Sequence, residues 1–131
     1  MKIEKIDHIC IAVKDLEKAE KYFKKIFGLT PDDRYIEESE KINVIRYYIG
    51  EVGLELMGPT DADSNVAKFI EKYGEGFYLL SLKVNDAEKA LTELKAKNIP
   101  LIDETPRQWR DSNYIFIKPK AFFGVLMELI D

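Results

Sequence analysis

The chain has one cysteine, one histidine and one tryptophan in 131 residues. A lone cysteine, Cys10, excludes an internal disulfide and makes the cytoplasm the expected compartment. With a single histidine beside it, structural zinc motifs built on paired C-x-x-C are excluded too. Long apolar runs are missing: the longest, GFYLLSL, is far too short to span a bilayer, so no membrane is expected as partner. The opening MKIEKIDH alternates charge with isoleucine and lacks an apolar segment, so no secretory signal is expected. Excess positive charge is absent as well. Twenty Lys and Arg against 24 Asp and Glu leave a net charge of -4, which argues against nucleic acid as a partner.

What is present is 46% apolar and 34% charged, enough apolar mass for one globular domain over residues 1–131. The chain also repeats itself. DHICIAVKDLEKAEKYFKK, from Asp7, and YLLSLKVNDAEKALTELKA, from Tyr78, align at a shift of 71 residues, and both contain V-x-D-x-E-K-A. Two copies make a duplicated module, not a repeat array. Each copy reads as strand, helix, then further strands. In the first, HICIAV alternates at period two, Asp15 is the expected N-cap, and Leu16, Ala19, Phe23, Ile26 and Phe27 form one helical stripe ending at Gly28. RYIEES, INVIRYYIG and VGLELMG follow as strands. In the second, Asp86 caps, Pro100 closes the helix, and LID, NYIFIK and VLMELI supply strands. Between them, Ser64 or Asp63 caps a short helix with Val66, Phe69, Ile70 and Tyr73 inward. The expected fold is α+β: paired β-α-β-β-β modules, approximately 1–60 and 77–131, joined by a linker helix in 61–76.

Period two puts Ile9, Ile11 and Val13 on the helix-facing side of the first strand, and His8, Cys10 and Ala12 on the other. In the second copy that other face carries Leu79, Ser81 and Lys83. The last strand of each module holds one carboxylate in an apolar run, Glu55 in GLEL and Glu128 in LMELID. A buried carboxylate is costly unless a cation or donors meet it. One histidine and two glutamates from both copies suit a shared metal ion. The alternatives stay open on this pattern: His8 as a hydrogen-bonded structural residue, the glutamates on a solvated face, and Trp109 in TPRQWRDSN as a loop packing on the sheet edge.

IDHICIAVKDLEKAEKYFKKIFGL, DSNVAKFIEKYGEG, LIDETPR and GVLMELID resemble the vicinal oxygen chelate superfamily, which includes glyoxalases, bleomycin resistance proteins and dioxygenases. Within it, they are most similar to the methylmalonyl-CoA epimerases. The resemblance implies a U-shaped mixed-sheet groove, a homodimer, and a divalent metal held by His8, Glu55 and Glu128. Glu128 is the implied catalytic base for proton abstraction alpha to a thioester carbonyl. The implied partner is a small-molecule substrate such as an acyl-CoA. The second histidine of the epimerases, in a pattern like GEGLHHIAF, falls on Leu79, the duplicate of His8. That weakens the metal site, leaving Mg, Mn, Co or Zn, or no metal at all. Lys83, Trp109, Phe122, Phe123 and Tyr47 are the expected substrate contacts. The alternatives are a metal-free binding protein of the resistance type, with an aromatic groove, and a glyoxalase I-type lyase. An extradiol dioxygenase needs two histidines and is excluded.

Overall fold

A computed structural model describes residues 1–131. The elements run β1 (Ile3–Ala12), α1 (Leu16–Phe27), β2 (Asp33–Glu37), β3 (Ile42–Ile49), β4 (Val52–Pro59), α2 (Asn65–Tyr73), β5 (Gly76–Val84), α3 (Ala87–Ala96), β6 (Arg107–Trp109), β7 (Ser112–Ile117) and β8 (Leu126–Ile130). The expected β-α-β-β-β order therefore occurs twice, with α2 between the copies. The strands form one eight-stranded sheet in the order β2-β3-β4-β1-β5-β8-β7-β6. β2, β3 and β4 are antiparallel, as are β6, β7 and β8, while β5 and β8 are parallel. No helix is long and apolar enough to cross a membrane.

The helices start where short polar side chains can take up their unpaired amides. Asp15 accepts from the Lys18 amide at 3.1 Å, Asp86 from Lys89 at 2.9 Å, and Ser64, not Asp63, from Ala67 at 2.9 Å. Gly28, at φ 68°, ends α1 in the left-handed conformation that a residue without Cβ adopts at least cost. α3 stops differently from the expected closure at Pro100: Asn98, at φ 57°, turns the chain, and the Ile99 amide bonds back to Leu94.

Two compact units form, one from residues 1–8 with 79–131 and the other from 9–78, so the division passes through β1. In the first unit, α3 packs on β7 and β8 through Ala90, Leu91, Leu94, Ile115, Met127 and Leu129. In the second, Leu16, Ala19 and Phe23 of α1 cover Val13, Ile45, Tyr47 and Leu56. Each core takes every second residue of its strands and leaves the alternate residues on the opposite face.

Several expectations need correction. Ile26 and Phe27 of the α1 stripe are exposed, and Phe27 has a ring contact with Phe23 of its own helix. Tyr73, at the last position of α2, is also exposed. LID does not form a strand. Only Leu101 bridges to Ile117, because the Asp103 carboxylate takes the Phe116 amide at 2.8 Å that a continuing ladder would have used. The second strand of the second module is instead Arg107–Trp109, in the stretch read as a loop.

Candidate active site

Glu55 is the polar centre of the second unit. Leu54 and Leu56 point into the α1 core, so strand alternation sends Glu55 to the other face, where it is fully buried. Three donors meet it. The Cys10 thiol donates to Oε1 at 3.2 Å, while Arg46 Nε and the Tyr35 hydroxyl donate to Oε2 at 2.8 and 3.0 Å. Arg46 lies directly opposite Glu55 on the neighbouring strand. Burial works against its charge, but the Glu55 carboxylate and the Tyr48 hydroxyl outweigh that, and the guanidinium is held above its ordinary value. Burial first, then the Glu55 carboxylate, raise the Tyr35 phenol well above its ordinary value, so it stays a donor.

The first unit repeats the arrangement with different partners. Met127 and Leu129 enter the α3 core, and Glu128 takes the opposite face, 6% exposed. The Ser81 hydroxyl donates to its Oε1 at 2.6 Å, and His8 Nε2 stands 3.3 Å from the same oxygen. On the far side of the ring, Nδ1 donates to Asp7 at 2.7 Å. That bond commits the Nδ1 hydrogen. Nε2 and the Glu128 oxygen then face each other as two acceptors unless a proton lies between them.

The duplication explains the likeness and locates the difference. Cys10 and Ser81 are equivalent at the 71-residue shift, and each donates to the glutamate of its module's last strand. Across β3, Glu55 faces Arg46; across β7, Glu128 faces Phe116. One glutamate has a guanidinium opposite it. The other has an aromatic ring opposite, and His8 Nε2 is 3.3 Å from its carboxylate.

A sequence profile of the glyoxalase/bleomycin resistance protein/dioxygenase superfamily matches residues 7–116. The chain belongs to this superfamily. It is 35% identical to an uncharacterized protein of Bacillus subtilis, YqjC, over 98% of this chain and 93% of the other. Human mitochondrial methylmalonyl-CoA epimerase is 32% identical over 95% of this chain and 72% of its own length. Streptomyces coelicolor methylmalonyl-CoA epimerase, in complex with 2-nitronate-propionyl-CoA, superposes with a TM-score of 0.92 at 27% identity, covering 98% and 94% of the two chains. The epimerases of the superfamily that this chain resembles are enzymes.

The superfamily resemblance calls for a divalent ion on His8, Glu55 and Glu128. His8 and Glu128 fit: an imidazole whose second nitrogen is oriented by a carboxylate, facing a carboxylate, is ordinary metal-ligand chemistry. Glu55 does not fit. Both its oxygens already accept from donors, and one donor is a cation. Leu79, 3% exposed, offers no donor at the place of a second imidazole.

Of the remaining expected contacts, Lys83 is half-buried on β5, two residues beyond Ser81 and on its face. Trp109 is on the edge strand β6, with the Arg110 guanidinium 4.4 Å from its ring. Two other expectations fail. Tyr47 is core, packed on Phe23 at 4.3 Å, because it alternates with Arg46 and faces α1. Phe122 packs against the α3 core, while Phe123, at φ 54°, is turned out to solvent at 94% exposure.

Arg46 and Tyr35 went unread in the sequence. A signal for Arg46 was there: with a turn at Gly50 and Glu51, counting outward pairs Ile49 with Val52 and then Arg46 with Glu55. Tyr35 had none, since its strand reaches Glu55 only across β3.

Proposed function

We propose that this chain is an epimerase-like enzyme that moves a proton at the carbon alpha to the carbonyl of a small acyl thioester, an acyl-CoA of the methylmalonyl type. The observation that supports this most is the 3.3 Å approach of His8 Nε2 to Glu128, in a chain resembling methylmalonyl-CoA epimerases over nearly its whole length. In this reading Glu128 acts as a carboxylate. It removes the α-proton, and the electrons of the C–H bond pass into the enolate. Ser81 fixes the direction of the carboxylate, and Asp7 fixes the ring of His8. Return of that proton from Glu128 to the same face restores the starting isomer; a proton taken from solvent at the opposite face gives its epimer, and Glu128 then passes its own proton to solvent.

Lys83 is proposed to meet the phosphates of the carrier, and Trp109 to contact its more distant part. The reading includes a homodimer, in keeping with exposed apolar side chains such as Phe27 and Ile36. The test is chromatographic. A single epimer of an α-methyl acyl-CoA, incubated with the enzyme, is expected to become a mixture of both epimers. A substrate that stays a single epimer with every such thioester sinks the proposal.

A further inference from the structure

We infer that Arg107 binds the carboxylate of an acid-bearing acyl group, and so selects thioesters that carry a carboxylate on the α-carbon presented to Glu128. The inference rests on the epimerase reading above and names what that site selects. Strand register puts the groups together. Glu128 pairs with Phe116 across β8 and β7, and Tyr114, two residues before Phe116, pairs with Arg107 across β7 and β6. Paired residues share a face of the sheet, and a step of two keeps it. Ile115 and Ile117 enter the α3 core, so Phe116, Tyr114 and Arg107 stand on the face of Glu128.

The guanidinium is held there and aimed. Its carbon lies 4.9 Å from the centre of the Phe116 ring, so the side chain leans from the edge strand across β7, toward β8. Asp103 fixes the pose. One of its oxygens accepts from Arg107 Nε at 2.7 Å and the other from the Phe116 amide at 2.8 Å, which ties the cation to the backbone of the residue it stacks on. The Asp103 side chain is buried, whereas that of Arg107 is 35% exposed and open to a ligand. The bond to Asp103 uses the Nε hydrogen of a guanidinium with five N–H donors, whose planar fork matches a carboxylate. A cation already positioned loses little freedom when it binds.

Spacing and charge suit one substrate class. The backbones of β6 and β8 are two strand spacings apart, about 10 Å. Glu128 reaches in from one side and the guanidinium from the other, with the Phe116 ring as an apolar floor between them. A proton-transfer contact to Glu128 and a charge-assisted hydrogen bond to Arg107 take about 3 Å each. The rest holds an α-carbon and a carboxylate attached to it. Such a substrate brings a second negative charge close to Glu128, and a cation on the far side offsets the repulsion. A neutral α-methyl thioester makes no use of that cation.

The experiment compares methylmalonyl-CoA with 2-methylbutanoyl-CoA, in which an ethyl group replaces the carboxylate. Calorimetric titration gives Kd, and chiral chromatography gives kcat/KM. The full chain is used as wild type, as Arg107→Gln, and as Arg107→Gln combined with Asp103→Asn, which leaves no buried carboxylate unpaired if the single variant does not fold. Circular dichroism checks folding. The wild type is expected to bind the acid more tightly than the neutral thioester. Either variant is expected to lose about 10- to 100-fold of that preference, the scale of a charged hydrogen bond. A wild type without the preference overturns the inference, as does a folded variant that keeps it. Equal weakening toward both thioesters also overturns it, because the cation then serves the carrier phosphates or the fold alone. The two failures are distinguishable. Binding preference needs no turnover, so a chain that binds the acid through Arg107 yet epimerises neither thioester sinks the epimerase reading and keeps the anion site. Epimerisation of both without preference sinks this inference alone.

Discussion

Cys10 and Ser81 occupy duplicate positions and differ in one atom, sulfur for oxygen, yet the glutamates they serve have different neighbours. Glu55 is matched by a guanidinium, and removing Arg46 leaves a buried charge unpaired. Arg46→Ala is therefore expected to destabilise the fold by about 3–5 kcal/mol in urea denaturation. Tyr47 gives the opposite sign. Its hydroxyl is buried with no hydrogen-bond partner, so Tyr47→Phe is expected to raise stability by about 1 kcal/mol. The pH dependence follows from the same group. Burial, then the Glu20 carboxylate, raise the Tyr47 phenol above its ordinary 10.0, so the folded chain holds that proton more tightly than the unfolded chain does. The resulting stabilisation is complete below pH 10 and is lost as pH rises beyond it. Denaturation curves above pH 10 should therefore show the wild type losing stability faster than Tyr47→Phe.

At the scale of elements, α1 is the weakest seat. None of its residues is fully buried, and it rests on β4 by close approach. A Cβ added at Gly58 would meet the Leu16 Cβ at 3.2 Å. Gly58→Val should push α1 outward and cost about 1–3 kcal/mol. Asp15→Ala, which removes the cap of the same helix, should cost about 1 kcal/mol. Thermal melts of the two variants check both. Period two and the caps made most elements legible in the sequence: Asp15, Ser64 and Asp86 start their helices as read, and the parity of β1 and β5 put Cys10 and Ser81 beside the two glutamates. The failures have a common cause. Tyr47, Phe122 and LID were judged by composition, while their fate was settled by the alternation of β3, the turn after Pro119, and the Asp103 side chain competing for a ladder amide. None of these competitions shows in a residue's own type.

At the scale of the whole molecule, the duplication was the most legible feature, because a shift of 71 residues preserves both motif and parity. Less legible was that the copies diverged in opposite senses. One glutamate is paired with a guanidinium, and the other has an imidazole nitrogen 3.3 Å from its carboxylate. The measurement closest to the central claim is solvent exchange at the α-carbon of an α-methyl acyl-CoA in D₂O, followed by proton NMR, for wild type and Glu128→Gln. The account predicts wash-in of deuterium by the wild type and a rate lower by about 10²–10⁴-fold in Glu128→Gln, with the fold retained. Exchange at an equal rate in the two proteins, or none in the wild type, would contradict it.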